Sequence, residues 1–271
     1  MSLKLKDSSK DYDYEEKDLV SALRSIGIKR GDIVFSHVGM GMLGIPKEGL
    51  DQDIISDLIY RAFMEVLGSK GTMLVPTYTY SFCRGETFDV RNSPSTVGYF
   101  TEKFRKRPGV RRSLEPIFSV AGIGPKTEAL FRDIPMACFG QDCIYERLVK
   151  AGTYICNVGV GFRYATFVHY AEQTAGVPYR FMKTFKGKII DYEGNETETE
   201  IEYYVRNAVD DETTFPNLRR LEKDVRRKGL CRSSLVGRGE ITCIRCSDLL
   251  RLCIEGIKRD PWYLAEGQKK G

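Results

Sequence analysis

The sequence predicts an α/β fold in which helices flank a central sheet. Short apolar runs typical of buried strands alternate with amphipathic helical stripes along the chain. Glycine-rich loops directly follow two of these runs, FSHVGMGMLG at 35–44 and NVGVGF at 157–162. Strands and helices that alternate in this way pack as a sheet between helices, with ligand loops at the carboxyl ends of the strands.

The first 80 residues predict two helices and two strands. One helical stripe covers 15–26 and stops at Gly27, and a second follows Asp51 and Asp53. Residues 33–35 predict a short buried strand, and GTMLVPTYT at 71–79 predicts a turn, a strand and a proline stop. The apolar helix positions are Leu19, Val20, Leu23 and Ile26, then Ile55, Leu58, Ile59, Ala62 and Val66.

The second half of the chain predicts a strand at 154–158, a helix around His169, and a hairpin from Lys188 to Val205 that turns at 193–195. A charged helix starts near Pro216 and stops at Gly229. A last helix has one apolar face over 246–257. We predict a single domain over residues 1–271, in which residues 186–240 form a smaller lobe or an insertion.

Charge and hydropathy narrow the function class. The 42 basic and 37 acidic residues give a net charge of +5, a mild preference for anionic ligands. The basic run KFRKRPGVRR at 103–112 predicts a solvated helix end and loop, with a phosphate contact as the alternative; it lacks the aromatic interleaving of a nucleic-acid platform. No run approaches 18 apolar residues and the N-terminus has no apolar signal segment, so we expect a cytoplasmic protein without membrane contact.

The eight cysteines predict neither a disulfide framework nor a metal site. Their spacing is irregular, and Cys243 with Cys246 forms a lone CxxC with no second pair and no nearby histidine. The apolar face of the last helix explains Cys246 and Cys253 as core residues. We therefore expect no metal.

One of only two histidines stands in the segment YATFVHYAEQTAGVPY at 164–179. If this segment is helical, His169 and Glu172 share a face at i,i+3 spacing. A carboxylate beside an imidazole fixes its tautomer and supports its action as a general base. The alternative is a structural histidine, because apolar residues surround it on both sides.

The loop at 35–44 has glycines at positions 39, 41 and 44 after a strand. Such a loop exposes backbone N–H groups that hold a pyrophosphate or a developing oxyanion. The spacing is neither GxGxxG nor a P-loop, so the loop alone does not define a ligand. His37 lies in this loop, and a structural and a catalytic role both remain open for it.

Taken together, these segments resemble the aminoglycoside 3-N-acetyltransferase family. The similar pieces, in order, are FSHVGMGMLG, GTMLVPTYT, FDVRNSPSTVG at 88–98, the basic Arg-Arg-Ser-Leu run, a Phe-Gly element at 139–143, the Gly-Val-Gly turn and the His-x-x-Glu helix. The resemblance implies the antibiotic N-acetyltransferase fold, with a central mixed sheet, flanking helices and an added β-hairpin, and not the GNAT fold.

The resemblance also implies acetyl-CoA as the cosubstrate and the amine of a sugar as the acceptor. It implies that His169 acts as the general base with Glu172, in a direct attack without an acyl-enzyme. We expect the backbone N–H groups of Val38 and Gly39 to stabilise the oxyanion. The cofactor contacts implied by the resemblance are Ser36, His37, Val38, Gly39, Met40, Gly41 and Thr77.

Two departures from the family pattern affect the acceptor. The family has a histidine on either side of the proline after Ser-Leu, where this chain has Glu115 and Phe118 in SLEPIFSVAGIG, and its Ser-Ser pair is replaced by Val38 and Gly39. With the basic net charge, these departures favour a nucleotide-linked amino sugar of surface-polysaccharide pathways. Candidate acceptor contacts are Tyr78, Tyr80, Asp89, Glu115 and Glu240.

Several alternatives stay open at this point. One alternative is an enzyme whose acceptor is an aminoglycoside. Another is a protein that binds CoA or a nucleotide sugar without catalysis. The acyl group is acetyl or longer, and a homodimer is compatible with the family.

Overall fold

A computed structural model describes residues 11–161 and 165–267. Among these residues a seven-stranded mixed sheet has the order β4-β5-β2-β1-β6-β10-β9, and β3, β7 and β8 form a second sheet. The strands are β1 (Ile33–Val38), β2 (Thr72–Pro76), β3 (Phe88–Asp89), β4 (Arg111–Arg112), β5 (Val120–Ile123), β6 (Tyr154–Val158), β7 (Arg180–Ile190), β8 (Glu196–Arg206), β9 (Arg232–Val236) and β10 (Gly239–Arg245).

Helices cover both faces of the main sheet. They are α1 (Glu16–Ser25), α2 (Gln52–Leu67), α3 (Tyr99–Arg105), α4 (Thr127–Phe131), α5 (Ile144–Lys150), α6 (Val168–Ala175), α7 (Asp211–Thr214), α8 (Arg219–Arg227) and α9 (Cys246–Arg259). Buried side chains of α1, α2 and α3 form one hydrophobic core, and those of α5, α6, α8 and α9 belong to the other. The architecture confirms the predicted α/β fold with a mixed sheet between helices.

The centre of the main sheet is parallel. Strand β1 pairs in parallel with β2 on one side and with β6 on the other, whereas β10 and β5 run antiparallel to their neighbours. Nearly every residue of β1 is buried, as expected for a strand covered on both faces. The carboxyl ends of β1 and β6 therefore lie side by side, which brings the glycine-rich loop at 35–44 next to residues 157–161 of the second one.

Local sequence signals account for the ends of the helices. The side chain of Asp51 caps α2 by accepting hydrogen bonds from the backbone N–H groups of Asp53 at 2.8 Å and Ile54 at 3.1 Å. Helix α6 ends at Gly176, whose φ of +67° lies in the left-handed region that favours glycine. This stop sets the course of the chain after the His169 helix.

The β7–β8 hairpin starts earlier than predicted. Its pairing runs from Arg180 opposite Arg206 to Ile190 opposite Glu196, whereas the sequence predicted a start at Lys188. Strand β3 pairs in parallel with β7, and the buried side chains of Ile189 and Ile201 join the larger core. Strand β9, also within residues 186–240, joins the main sheet. The division of the chain into domains stays a prediction.

The basic run at 103–112 departs from the solvated segment that we predicted, because its last residue is buried. Arg112 is 4% exposed, and its Nε lies 3.1 Å from both Thr77 Oγ1 and Ser119 Oγ. The guanidinium thereby ties β4 to β2 and β5, so Arg112 has a structural role.

No helix among the described residues has the length and apolar character needed to cross a membrane.

Candidate active site

A cavity of about 530 Å³ lies where the carboxyl ends of β1 and β6 meet the start of α6. Both histidines of the sequence line it. Its walls are otherwise apolar and aromatic, with threonine hydroxyls, and none of the described lining residues is acidic. The lining residues are His37, Val38, Gly39, Met42, Pro76, Tyr78, Tyr80, Val97, Thr101, Gly159, Val160, Ala165, Thr166, Val168, His169, Pro216 and Leu218.

Helix α6 places His169 and Glu172 side by side, as their spacing predicted. His169 Nδ1 lies 2.6 Å from Glu172 Oε2, and the imidazole packs edge-on against the ring of Phe139 at a centroid distance of 5.9 Å. His169 lines the cavity, whereas Glu172 is buried behind it and 1% exposed. The carboxylate can therefore orient the imidazole without contacting a ligand.

Tyr179 and Arg180, which follow α6 in the chain, complete the surroundings of Glu172. The hydroxyl of Tyr179 donates to Glu172 Oε1 at 2.8 Å, and Arg180 Nε lies 2.7 Å from Oε2 in a buried ion pair. Burial works to raise the pKa of the Glu172 carboxyl, but His169, Arg180 and Tyr179 outweigh burial and hold that pKa below its ordinary value. Glu172 is therefore ionised at neutral pH. We call His169, Glu172, Tyr179 and Arg180 the His169 cluster.

The same cluster keeps His169 neutral. Burial lowers the pKa of the imidazole, the Arg180 cation lowers it further, and Glu172 opposes both; the net pKa lies below the ordinary 6.5. Arg180 Nη2 also lies 2.8 Å from His169 Nδ1, the same ring atom that faces Glu172. An ionised carboxylate can only accept and a guanidinium can only donate, so Nδ1 cannot bond both groups at once. The contact with Glu172 is the shorter, 2.6 Å against 2.8 Å, and it favours the tautomer in which Nδ1 donates to Glu172 and Nε2 is unprotonated.

His37 lies in very different surroundings at the end of β1. It is 7% exposed, and both of its ring nitrogens are buried without a hydrogen-bond partner among the described residues. Burial lowers the pKa of the imidazole to about 4, and the side chain of Asn157, its paired residue on β6, acts in the opposite direction. His37 is therefore uncharged at neutral pH.

The geometry of the first glycine-rich loop corrects one expectation. The backbone N–H of Gly39 donates to the Val158 carbonyl at 2.9 Å, so it is not free to stabilise an oxyanion. Glycine is required there by close approach, because a Cβ at Gly39 would lie 2.5 Å from Val160 Cγ1. The loop's tight packing thus joins β1 to β6, and the backbone N–H of Val38, the other expected oxyanion donor, stays a prediction.

The structure brings some of the predicted cofactor contacts together and separates others. His37, Val38 and Gly39 line the cavity, and Met40 and Gly41 lie in the adjoining 3₁₀ turn, Met40–Leu43. Ser36 and Thr77 are fully buried and do not line it. Thr77 instead bonds Ser119 and Arg112. The cofactor roles of all seven residues stay predictions.

The predicted acceptor contacts divide in the same way. Tyr78 and Tyr80 line the cavity, and Tyr80 has a left-handed φ of +54°, unusual for a residue with a side chain. Asp89 binds the backbone of Arg91 and Asn92, and Glu240 Oε1 accepts from Arg226 at 2.6 Å. Neither residue lines the cavity, so acceptor contacts by Asp89 and Glu240 stay predictions that their placement does not favour.

Glu115, the fifth predicted acceptor contact, is 2% exposed and also lies outside the cavity wall. Its carboxylate accepts backbone N–H bonds from Ile117 at 2.8 Å and Phe118 at 2.5 Å. Burial raises the pKa of the Glu115 carboxyl to about 7, against the lowering effect of these bonds. Its acceptor contact stays a prediction too, and the observed role is to hold the turn before β5.

Sequence reasoning missed Tyr179, Arg180 and Asn157. The glycine that ends α6 and the proline at 178 signal a turn back toward the helix, which is the one hint that the following residues meet Glu172. Asn157 was assigned only to a strand, and its position beside His37 depends on strand register. No group of three potential metal ligands occurs among the residues that the structure describes.

Solved structures define the class to which this fold belongs. The fold matches AAC-VIa bound to sisomicin with a TM-score of 0.78 at 23% identity, over 91% of this chain and 98% of that one. It matches AAC-IIIb in its binary complex with CoASH at 0.75 and 20% identity, over 90% and 96%. The YokD protein from Bacillus subtilis matches at 0.76 and 17% identity, over 93% and 96%. These identities establish the fold, which is that of aminoglycoside acetyltransferases.

The chain belongs to the aminoglycoside 3-N-acetyltransferase family, whose sequence model matches residues 37–258. This confirms the resemblance found in the sequence. Aminoglycoside N(3)-acetyltransferase IV from a Salmonella species is 28% identical over 171 residues, 62% of each chain. Enzyme VII from Streptomyces paromomycinus is 27% identical over 195 residues, 65% of this chain and 63% of the relative. The alignments thus span a little under two thirds of these relatives.

Proposed function

We propose that the protein is an acyl-CoA-dependent N-acyltransferase that transfers an acetyl group from acetyl-CoA to the amine of an amino sugar, with His169 as the general base. The observation that carries this proposal is a neutral imidazole in the cavity wall, held by a buried, ionised carboxylate. Family membership supports acetyl-CoA as the cosubstrate.

The chemistry follows from the tautomer that Glu172 holds. With the proton of His169 on Nδ1, Nε2 accepts the proton that the amine loses as its nitrogen bonds to the thioester carbon. The C–S bond then breaks, and the imidazolium returns the proton to the departing thiolate. A sugar ammonium has a pKa of about 8, so at pH 7 it first loses one proton to solvent to become the free amine that attacks. The N–H proton that the nitrogen loses on bonding to the thioester carbon is the one that the neutral imidazole accepts. A positioned base contributes about 10²–10⁴-fold.

For the acceptor, we propose an aminoglycoside-type amino sugar. The support comes from the names of the curated relatives, aminoglycoside N(3)-acetyltransferases, and from the structural neighbour bound to sisomicin. The volume of the cavity, about 530 Å³, suits part of a saccharide together with the acyl end of the donor.

One observation favours a second acceptor class, a nucleotide-linked amino sugar. Polycationic aminoglycosides are best held by carboxylates, and no acidic side chain lines the cavity among the described residues. The net charge of +5 adds a weak attraction for a diphosphate.

The test measures release of free CoA from acetyl-CoA with a panel of aminoglycosides and nucleotide-linked amino sugars. We expect turnover with an aminoglycoside, and a loss of about 10²-fold or more in kcat for His169→Ala at unchanged affinity for CoA. Thr174→Ala, an exposed change on the same helix, serves as the matched control.

Three outcomes discriminate the hypotheses. Turnover only with nucleotide-linked sugars would replace the acceptor and keep the mechanism. Full activity in His169→Ala would remove the proposed base. Tight CoA binding without turnover on any amine would overturn the enzyme proposal in favour of a binding protein.

A further inference from the structure

We infer that His37 is a second functional residue of the cavity, a neutral N–H donor to the carbonyl oxygen of the bound acyl group, with Asn157 as its positioning residue. This inference deepens the proposed acyl transfer and rests on it. It assigns to His37 and Asn157 the stabilisation of the oxyanion that forms when the amine attacks.

The first argument is position. His37 lies at the end of β1, and its imidazole lines the same cavity as His169. The ring packs edge-on against Phe35 at a centroid distance of 5.0 Å, which limits its movement. Asn157 is the paired residue on the parallel neighbour β6, so both side chains lie on the same face of the sheet.

The second argument is unsatisfied hydrogen-bonding capacity. Both ring nitrogens of His37 and both amide atoms of Asn157 are buried without an ordinary hydrogen bond to any described residue. Buried polar atoms are costly when unpaired, and they are rare in folded proteins unless a ligand or water completes them. The side chain of Asn157 lies near enough to raise the pKa of the imidazole by hydrogen bonding, so Asn157 is the partner available to one ring nitrogen. The other nitrogen then remains for a ligand in the cavity.

The third argument is charge. Burial keeps His37 neutral, and no carboxylate contacts it among the described residues. His37 therefore lacks the partner that would make it a base, which leaves proton abstraction to His169. A neutral imidazole can still donate one N–H, and it gives a directed hydrogen bond without placing a cation in an apolar cavity.

The fourth argument is that the reaction needs such a donor. Attack on the thioester moves negative charge onto the carbonyl oxygen, and preorganised donors at that oxygen are a large part of catalysis in acyl transfer. The Gly39 N–H, which the sequence had suggested for this purpose, already bonds the Val158 carbonyl. The imidazole of His37, the residue before Val38 on β1, is an available donor in the same cavity wall.

Two substitutions separate a donor from a packing residue. His37→Gln keeps an N–H donor, whereas His37→Phe fills the space without one. We expect kcat to fall about 10²-fold in His37→Phe with little change in KM for acetyl-CoA, and to fall less than tenfold in His37→Gln. Equal kcat values for the wild type and His37→Phe, or equal losses in both variants, would overturn the assignment. Thermal unfolding of each variant verifies that it is folded.

A binding measurement gives a readout that does not depend on turnover. Because the chain has only two histidines, ¹⁵N-labelled imidazoles give two sets of signals, which His37→Gln and His169→Ala assign. We expect acetyl-CoA to shift the protonated nitrogen of His37, and CoA, which lacks the acyl carbonyl, to shift it much less. Asn157→Leu should weaken this shift.

The outcomes are distinguishable from failure of the proposed function. Binding of acetyl-CoA that moves the His169 signals and leaves those of His37 unchanged overturns only the role of His37. Acetyl-CoA that perturbs neither histidine overturns the acyltransferase proposal together with this inference.

Discussion

The two histidines share one cavity but differ in what surrounds them. His169 contacts a carboxylate and a guanidinium at 2.6 and 2.8 Å, whereas both nitrogens of His37 lack a partner among the described residues. Burial lowers the pKa of both imidazoles. Burial alone therefore does not distinguish their roles. The Glu172 carboxylate does, because it favours one tautomer of His169 and stabilises the imidazolium formed when that ring accepts a proton, whereas the Arg180 cation opposes protonation.

The same contrast holds for two buried carboxyl groups. Glu172 meets Arg180 and Tyr179, and its pKa is lowered, whereas burial raises the pKa of Glu115 to about 7. A buried carboxyl group with a cation beside it stays ionised. A buried carboxyl group that is bonded mainly to backbone N–H groups ionises less readily. The predictions below test this contrast.

The largest effect is expected for Glu172→Gln. The amide cannot stabilise the imidazolium, and it allows the ring to adopt the tautomer in which Nε2 carries the proton. We expect kcat to fall about 10²-fold or more, by analogy with the loss of the orienting carboxylate in other His–acid pairs. Steady-state kinetics measures the fall, and unchanged kcat would show that the partner of His169 is dispensable.

Arg180→Met should act on the pH dependence. Removing the cation leaves Glu172 unopposed, so the pKa of His169 rises and a larger fraction of the base is protonated at low pH. We expect the acid limb of the kcat/KM profile to move to higher pH. Arg251→Met, which removes an exposed arginine on α9, is the control and should leave the profile in place. A shift to lower pH would contradict the account.

Tyr179→Phe should have a smaller effect. It removes one hydrogen bond to Glu172 and keeps the ring and the ion pair with Arg180. We expect kcat to fall several-fold, consistent with about 1 kcal/mol for one hydrogen bond. A loss as large as that of Glu172→Gln would mean that the hydroxyl itself contacts substrate.

Glu115→Gln concerns stability. The folded state holds the Glu115 proton up to a pH of about 7, whereas the unfolded chain loses it near the ordinary value of 4.5. The unfolded state then binds fewer protons, so this group lowers the free energy of unfolding as the pH rises from about 4.5 to about 7. The free energy of unfolding, measured with urea across that pH range, should decline less in Glu115→Gln than in the wild type. The same decline in both proteins would contradict this prediction.

Much of the fold follows from local signals in the sequence. The apolar stripe of α2 and its Asp51 cap, the buried run of β1, and the i,i+3 spacing of His169 and Glu172 are each set by residues close together in the chain. Long-range packing sets the rest. The segment RFMKTFKG at 180–187 does not alternate between buried and exposed residues, and pairing with β8 makes it a strand.

The site shows the same limit. Arg180 reaches His169 only because α6 ends at Gly176 and the chain turns back, and Asn157 reaches His37 only through the register of β6 on β1. Arg112 belongs to a basic run that the sequence predicts to be solvated, yet its guanidinium bonds the hydroxyls of Thr77 and Ser119 in the core. Partners from distant segments decide charge and burial, so residue spacing alone did not reveal them.

The tautomer and charge of the two imidazoles test the central claim most directly. ¹⁵N spectra of the histidine side chains, recorded between pH 4 and pH 8, report both. At pH 7 we predict His169 to be neutral with its proton on Nδ1 and Nε2 bare, and His37 to stay neutral until the pH approaches about 4. A charged His169 at pH 7, or one with its proton on Nε2, would contradict the account.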